Sequence, residues 1–174
     1  MKEKPLVTIV MGSDSDFSVM EETGKTLDEF GVTYEYKVTS AHRSPDQAVA
    51  FAKGLFDRGI KVVIAGASYS AHLPGVLASH TVLPVIGVPL DASPLKGMEA
   101  LFSMGQMPPG VPVATVTIGK AGAKNAALFA VEILATNDER LQKLLKDHRA
   151  QIAASVEEKN RGVIARAAGP KQSK

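Results

Sequence analysis

Ser40, His42 and Arg43 fall within four residues of one another, between an extended-looking run from Thr33 to Val38 and a helical-looking run from Pro45 to Arg58. Ser40 can donate and accept a hydrogen bond. Arg43 presents a fork of donors that fits phosphate or carboxylate, and His42 can move a proton near neutral pH. Ser44 reads as an N-cap, with Pro45 at the first helical position and Gln47 closing a capping box. The loop is therefore pinned at a helix N-terminus, where anions are favoured. Taken singly, the two serines can be plain caps and Arg43 a solvated charge. Together, at one strand-to-helix junction, they point to an anion site with a proton-transfer group.

Two further stretches follow predicted strands. Gly12-Ser13-Asp14-Ser15-Asp16 offers backbone amides and hydroxyls suited to a phosphate and carboxylates suited to a ribose diol. It lacks the Gly-Lys-Ser/Thr ending of a Walker loop and the Gly-x-Gly-x-x-Gly dinucleotide turn, and a capped turn explains it equally well alone. Ala71-His72-Leu73-Pro74-Gly75 brings a second histidine, which alone reads as a hydrogen-bonded structural group. His80 and His148 are assigned no chemistry. Gly119-Lys120-Ala121-Gly122 reads as glycines that let a helix pack closely on a sheet. Asp14 and Asp16 do not make a metal cluster, and no nucleophilic triad is visible.

The elements that position these loops alternate along the chain. The apolar run Leu6 to Met11 suggests a strand covered on both faces. A helix from about Phe17 to Phe30 follows, ending at Gly31. Lys61 to Ala67, Pro84 to Val88 and Val113 to Ile118 read as further strands. A short helix to about Thr81, one from Gly97 to Met104 and an alanine-rich one from about Ala123 to Ala135 lie between or after them. Pro108-Pro109-Gly110 is a hard break. A last amphipathic helix is expected from Asp138 to about Lys159, with a flexible tail over 160–174. Five strand–helix alternations predict an open five-stranded parallel sheet with helices on both faces, the whole of 1–174 forming a single α/β domain. In such sheets ligands sit beyond the carboxyl ends of the strands, so loops 12–16, 39–44 and 67–75 should meet at one edge.

Composition narrows the field. With 174 residues, 45% of them apolar and 22% charged, the chain suits one globular core. It has no cysteine, so disulfides and thiolate chemistry are excluded. Its four histidines lack metal-ligand spacing. Residues 138–174 hold nine Lys/Arg against five Asp/Glu, but none of the nine aromatics interleaves with them. This reads as a solvated helix and not a nucleic-acid surface. No apolar stretch is long enough to span a bilayer, and nothing at the N-terminus reads as a signal peptide, so a cytoplasmic location is expected.

Taken together, Gly12-Ser13-Asp14-Ser15-Asp16, Ser40-Ala41-His42-Arg43, Ala71-His72-Leu73-Pro74-Gly75, Gln106-Met107-Pro108 and Ile118-Gly119-Lys120-Ala121-Gly122 resemble the class I 5-(carboxyamino)imidazole ribonucleotide mutases of purine biosynthesis, in order and with compatible spacing over roughly residues 5–136. The resemblance implies a flavodoxin-like three-layer fold, a homo-octamer, and an isomerase that moves a carboxylate from the exocyclic nitrogen of an aminoimidazole ribonucleotide to ring carbon four. No metal, ATP, biotin or other cofactor is implied. It also implies roles: His42 as general acid/base; Ser13, Asp16, Ser40 and Arg43 for ribose and phosphate; His72 and Leu73 for the base and carboxylate end; and Gly12, Ser15, Ala67 and Ser68 as further substrate-binding residues. The loop around Gln106-Met107-Pro108 is expected to touch a neighbouring subunit.

The chain departs from that pattern at Ser68-Tyr69-Ser70, where the class I members usually have two glycines and an alanine, and at Pro109, where they usually have a basic residue. Direct aminoimidazole ribonucleotide carboxylases of the same superfamily typically carry lysine at the position of Arg43 and lack the Ala-His-Leu-Pro-Gly run. A non-catalytic flavodoxin-like nucleotide-binding module is a third reading. It is weakened because loops 12–16 and 39–44 hold no aromatic to sandwich a flavin.

Overall fold

The computed structural model describes residues 4–167. Five strands, β1 (Val7–Met11), β2 (Tyr34–Val38), β3 (Val62–Ala67), β4 (Val85–Pro89) and β5 (Ala114–Thr115), form one sheet in the order β2-β1-β3-β4-β5. Every pairing is parallel, which is the flavodoxin-like order, with its reversal between β1 and β3. β1, β3 and β4 are buried at every position, as strands with helices on both faces must be. β2, at the edge, is only partly covered.

The helices α1 (Phe17–Glu29), α2 (Pro45–Gly54), α3 (Leu73–Ala78), α4 (Met98–Gly105) and α5 (Gly119–Ala135) follow the strands in turn. Helix α1 stops where the sequence predicts: Gly31 takes φ 61°, and Val32 N–H donates to the Leu27 carbonyl at 3.0 Å. The α1 and β2 segments approach closely because residue 24 is glycine; a Cβ there would run into the hydroxyls of Tyr34 and Tyr36. Gly122 does the same for α5, since a Cβ would overlap the Thr117 carbonyl. The crowding is with the segment entering α5, and a Cβ on Gly119 would meet nothing within 4 Å, whereas the sequence reading placed the close approach between helix and sheet.

Several boundaries differ from the sequence reading. Helix α2 ends at Gly54, and residues 55–59 turn out through Gly59 at φ 89°, with Ile60 N–H donating to the Leu55 carbonyl. β5 keeps only two paired residues of the expected six. Pro112 lacks an amide to donate, and beyond Val116 the chain turns away into Gly119 at φ 74°. Helix α5 begins at Gly119 and not near Ala123.

Contacts divide the chain into two compact units, with the boundary between Leu134 and Ala135. The second holds α6 (Glu139–Ala167), which runs eight residues beyond the expected end near Lys159. A lone Gly162 does not stop a helix, and the next proline is Pro170. Of the tail expected over 160–174, residues 160–167 are therefore helical, and 168–174 lie outside the described residues. Asp138 caps α6, its Oδ1 accepting from Leu141 N–H at 3.1 Å.

Candidate active site

β1 lies between β2 and β3, and the three end nearly level: Met11 pairs with Val38 on one side and Gly66 on the other. The loops that leave them must therefore sit side by side. The β1 loop occupies the middle, with the His42 and His72 loops on its flanks. A cleft of about 720 Å³ opens there. Its walls include Gly12, Ser13, Ser15, Asp16, Ser40, His42, Arg43, Ala67, Ser68, His72 and Leu73, so the residues singled out from the sequence come together at one place. The sequence reading did not assign Ala41, Tyr69, Ser70 or Ala92, which also face the cleft. Ala92 follows the carboxyl end of β4, where the strand-end rule would have looked, but it carries no functional group to draw attention.

The β1 loop folds onto itself as a capping box. Ser13 caps a single 3-10 turn (Asp14–Asp16): its Oγ accepts from Ser15 N–H at 3.4 Å, while Asp16 Oδ2 accepts from Ser13 N–H at 3.1 Å. Asp16 is buried. That burial pushes its carboxyl above the usual 3.8, against the lowering effect of the Ser13 and Gly12 amides and of the Arg43 guanidinium, with Asp14 adding to the rise.

The capping box expected at Ser44 and Gln47 does not form. Ser44 is at the N-cap position but makes no cap bond to the helix. Its Oγ instead accepts from Ser40 N–H at 3.1 Å and donates to the Ser40 carbonyl at 3.2 Å. The hydroxyl is consumed in closing the 40–44 loop. Ser40 Oγ accepts in turn from the amides of His42 and Arg43, at 3.4 and 3.1 Å. Arg43 reaches across to the neighbouring loop, Nη2 donating to the Gly12 carbonyl at 2.8 Å.

His42 Nε2 and His72 Nδ1 lie 2.8 Å apart, with the rings nearly perpendicular at 82°. One ring must present N–H and the other a lone pair. The contact breaks if both rings carry protons on the facing nitrogens. Both histidines are exposed to the cleft, while Leu73 and Ala71 beside them are buried. The cleft thus has one side rich in amides, hydroxyls and a guanidinium, and an opposite side with a paired imidazole over an apolar floor. Among the described residues no three His, Asp or Glu side chains converge as a metal site requires, and no helix is long and apolar enough to cross a membrane.

With this geometry in place, comparison with known proteins is informative. The family model described as AIR carboxylase matches residues 6–155, and the chain belongs to that family. It is similar to the N5-carboxyaminoimidazole ribonucleotide mutase of Pyrococcus horikoshii, with 52% identity over 90% of this chain and 88% of that protein. The same-named enzyme of Bacillus subtilis is 52% identical over 88% of this chain and 94% of the relative. Among solved structures, PurE of Treponema denticola superposes with a TM-score of 0.81 at 29% identity, covering 91% of this chain and 98% of that one.

Proposed function

We infer that the chain is an N5-carboxyaminoimidazole ribonucleotide mutase, an isomerase of purine biosynthesis that shifts a carboxylate from the exocyclic nitrogen to ring carbon four. The observation that carries the reading is the cleft. It joins an anion-binding side of Ser13, Asp16, Ser40 and Arg43 to the His42–His72 pair, in a chain about half identical to enzymes of that name.

In this reading the phosphate and ribose rest on the β1 and β2 loops, through Gly12, Ser13, Ser15, Asp16, Ser40 and Arg43. The base lies toward Ala67, Ser68, His72 and Leu73. His42 protonates the carbamate nitrogen. The nitrogen–carbon bond breaks with its electron pair left on nitrogen, and carbon dioxide is released into the cleft. Ring carbon four, electron-rich like an enamine carbon, attacks it, and the proton displaced from that carbon returns to His42. One imidazole gives and takes one proton, so the reaction is a net isomerisation. Holding carbon dioxide beside the ring replaces a bimolecular encounter, worth up to about 7–11 kcal/mol in favourable intramolecular cases. His72, in contact with His42, couples the tautomers of the two rings, since one must donate where the other accepts.

The reading extends to the whole chain as one α/β domain with a helical extension, located in the cytoplasm, where a soluble phosphorylated substrate would be met. It also includes assembly as a homo-octamer. Supporting this, Val82, Leu95, Met98 and Phe102 stand exposed on the first unit. On α6, Ile152, Val156 and Val163 form an exposed apolar stripe. Helix α5 buries Ala123, Ala126, Ala127, Ala130 and Val131 on one face and leaves Phe129 exposed. Met107 packs over Gly75 at the start of α3, which places its loop near the cleft while leaving Gln106 and Pro108 outward.

The test is an assay for carboxylated product with two feeds: the carbamate nucleotide, or bicarbonate with the decarboxylated nucleotide. The mutase reading requires conversion of the first far faster than of the second. The reverse preference would make the chain a direct carboxylase.

A further inference from the structure

Tyr69 is one of two described non-glycine residues with positive φ, at 53°. A non-glycine residue there is strained. The ring is 56% exposed, and among the described residues it takes part in no hydrogen bond or ring contact. Such a conformation persists in a functional site when something else makes use of it. The location says what that is. Tyr69 lies two residues past the end of β3, just before a turn closed by His72 N–H on the Ser70 carbonyl at 2.8 Å. It lines the cleft on the His72 side, across from the 12–16 and 40–44 loops, and among the described residues is the only phenol or phenyl side chain to do so.

We propose that Tyr69 is a positioning residue whose ring folds over the heteroaromatic base of the bound ribonucleotide and keeps carbon dioxide in the cleft between its release and its recapture. The proposal rests on the mutase reading for the carbon dioxide step, and on the cleft geometry alone for the base contact. A planar base has a face for an aromatic ring whatever its substituents. The cover also matters for the chemistry. After release, the amine has its proton and carbon dioxide is free. If it escapes, the reaction stops at carbamate plus a proton giving amine plus carbon dioxide, and no carboxylate reaches carbon four. A cover on the open side of the cleft suppresses that leak.

The test compares Tyr69→Asn, Tyr69→Phe and the unaltered full chain. Asparagine tolerates the left-handed backbone, so the loop keeps its course while the ring is lost; Tyr69→Gly serves if the asparagine variant folds poorly. Two quantities are read. The first is affinity for the decarboxylated aminoimidazole ribonucleotide, which needs no turnover. The second is the ratio of carboxylated product formed to carbamate consumed, corrected for spontaneous loss. Tyr69→Asn should weaken binding on the order of tenfold and lower the ratio by raising free amine, while Tyr69→Phe stays within about twofold on both measures. An asparagine variant that binds and couples like the parent overturns the proposal, as does an equal loss in the phenylalanine variant. If the parent converts no carbamate, the mutase reading fails, and the base contact is then decided by the affinity comparison alone.

Discussion

Replacing Arg43 by leucine separates what the guanidinium does for the fold from what it does for the ligand. In the fold it donates to the Gly12 carbonyl at 2.8 Å and sits close enough to lower the pKa of Asp16. Arg43 is exposed, so this link is screened and contributes less than about 1 kcal/mol. For a domain of this size that is a fall in Tm of at most about 4 °C. Only one of five guanidinium N–H groups is used by Gly12, which leaves the fork for a phosphate. A charge-assisted contact contributes roughly 1.5–3 kcal/mol, or roughly ten- to a hundredfold in Kd. The assay is titration of the variant with aminoimidazole ribonucleotide and with the corresponding nucleoside, beside a melting curve. Binding of the nucleotide should fall by that factor, and binding of the nucleoside by no more than about twofold. Arg43→Lys, which keeps a point charge without the fork, should lie between. Equal losses for the two ligands would refute the assignment, as would a melting point so low that binding simply follows unfolding.

His42→Asn should abolish turnover while the nucleotide still binds with Kd within a few-fold of the parent, read by product formation at saturating substrate and by calorimetry; turnover near the parent rate would take His42 out of the proton transfer. Asp16 has a folded-state pKa raised above 3.8 by burial, so the folded chain binds the extra proton and stability falls as pH rises through the window above 3.8. Asp16→Asn removes that dependence, and the stability of the parent relative to the variant, from urea midpoints across that window, should decline as pH rises; a growing parental advantage would mean the carboxylate is stabilised in place. Light scattering at micromolar concentration should give one large species, and removal of the chain from Asp138 onward should disrupt it; a stable, active monomer over that range would reject assembly, and a dimer or tetramer only the number eight.

The 12–16 and 67–75 loops were legible because each follows a short apolar run that reads as a buried strand, and the 39–44 loop because it links an extended-looking run to a helix start. The strand-end rule then gathers residues as far apart in sequence as Ser13 and Leu73. The contact between His42 and His72 was not legible as a pair. It depends on β2 and β3 both lying beside β1, an order that hydrophobic pattern does not specify. The capping box was placed in the wrong loop because Ser44-x-x-Gln47 and Ser13-x-x-Asp16 both carry the signature. Only the folded loop reveals that the Ser44 hydroxyl is already taken by Ser40. β5 was overread because a run of alternating Val and Thr fits a strand, whereas an edge position next to Pro112 keeps two paired residues. Tyr69 was visible as part of a departure from the family pattern, but its left-handed backbone was not, since nothing in a tyrosine announces it.

The hydrogen bonds within the 12–16 and 40–44 loops leave the two unequally ready for a ligand. A serine hydroxyl has one proton to give and two lone pairs. Ser40 Oγ accepts from two backbone amides, so both lone pairs are occupied and the capacity left to it is its proton. It is fixed as a donor, the form that a phosphate or ribose oxygen requires. Ser13 Oγ is placed differently: it donates to Asp14 Oδ1 at 3.1 Å and accepts from Ser15 N–H and Ser15 Oγ. Its capacity is full, so any bond to a ligand must replace one inside the loop. The 40–44 loop therefore presents a preorganised donor, while in the 12–16 loop the Ser13 hydroxyl is usable only if an internal bond is given up. The free-energy gain from the same phosphate oxygen is larger on the Ser40 side, where no existing bond has to be given up.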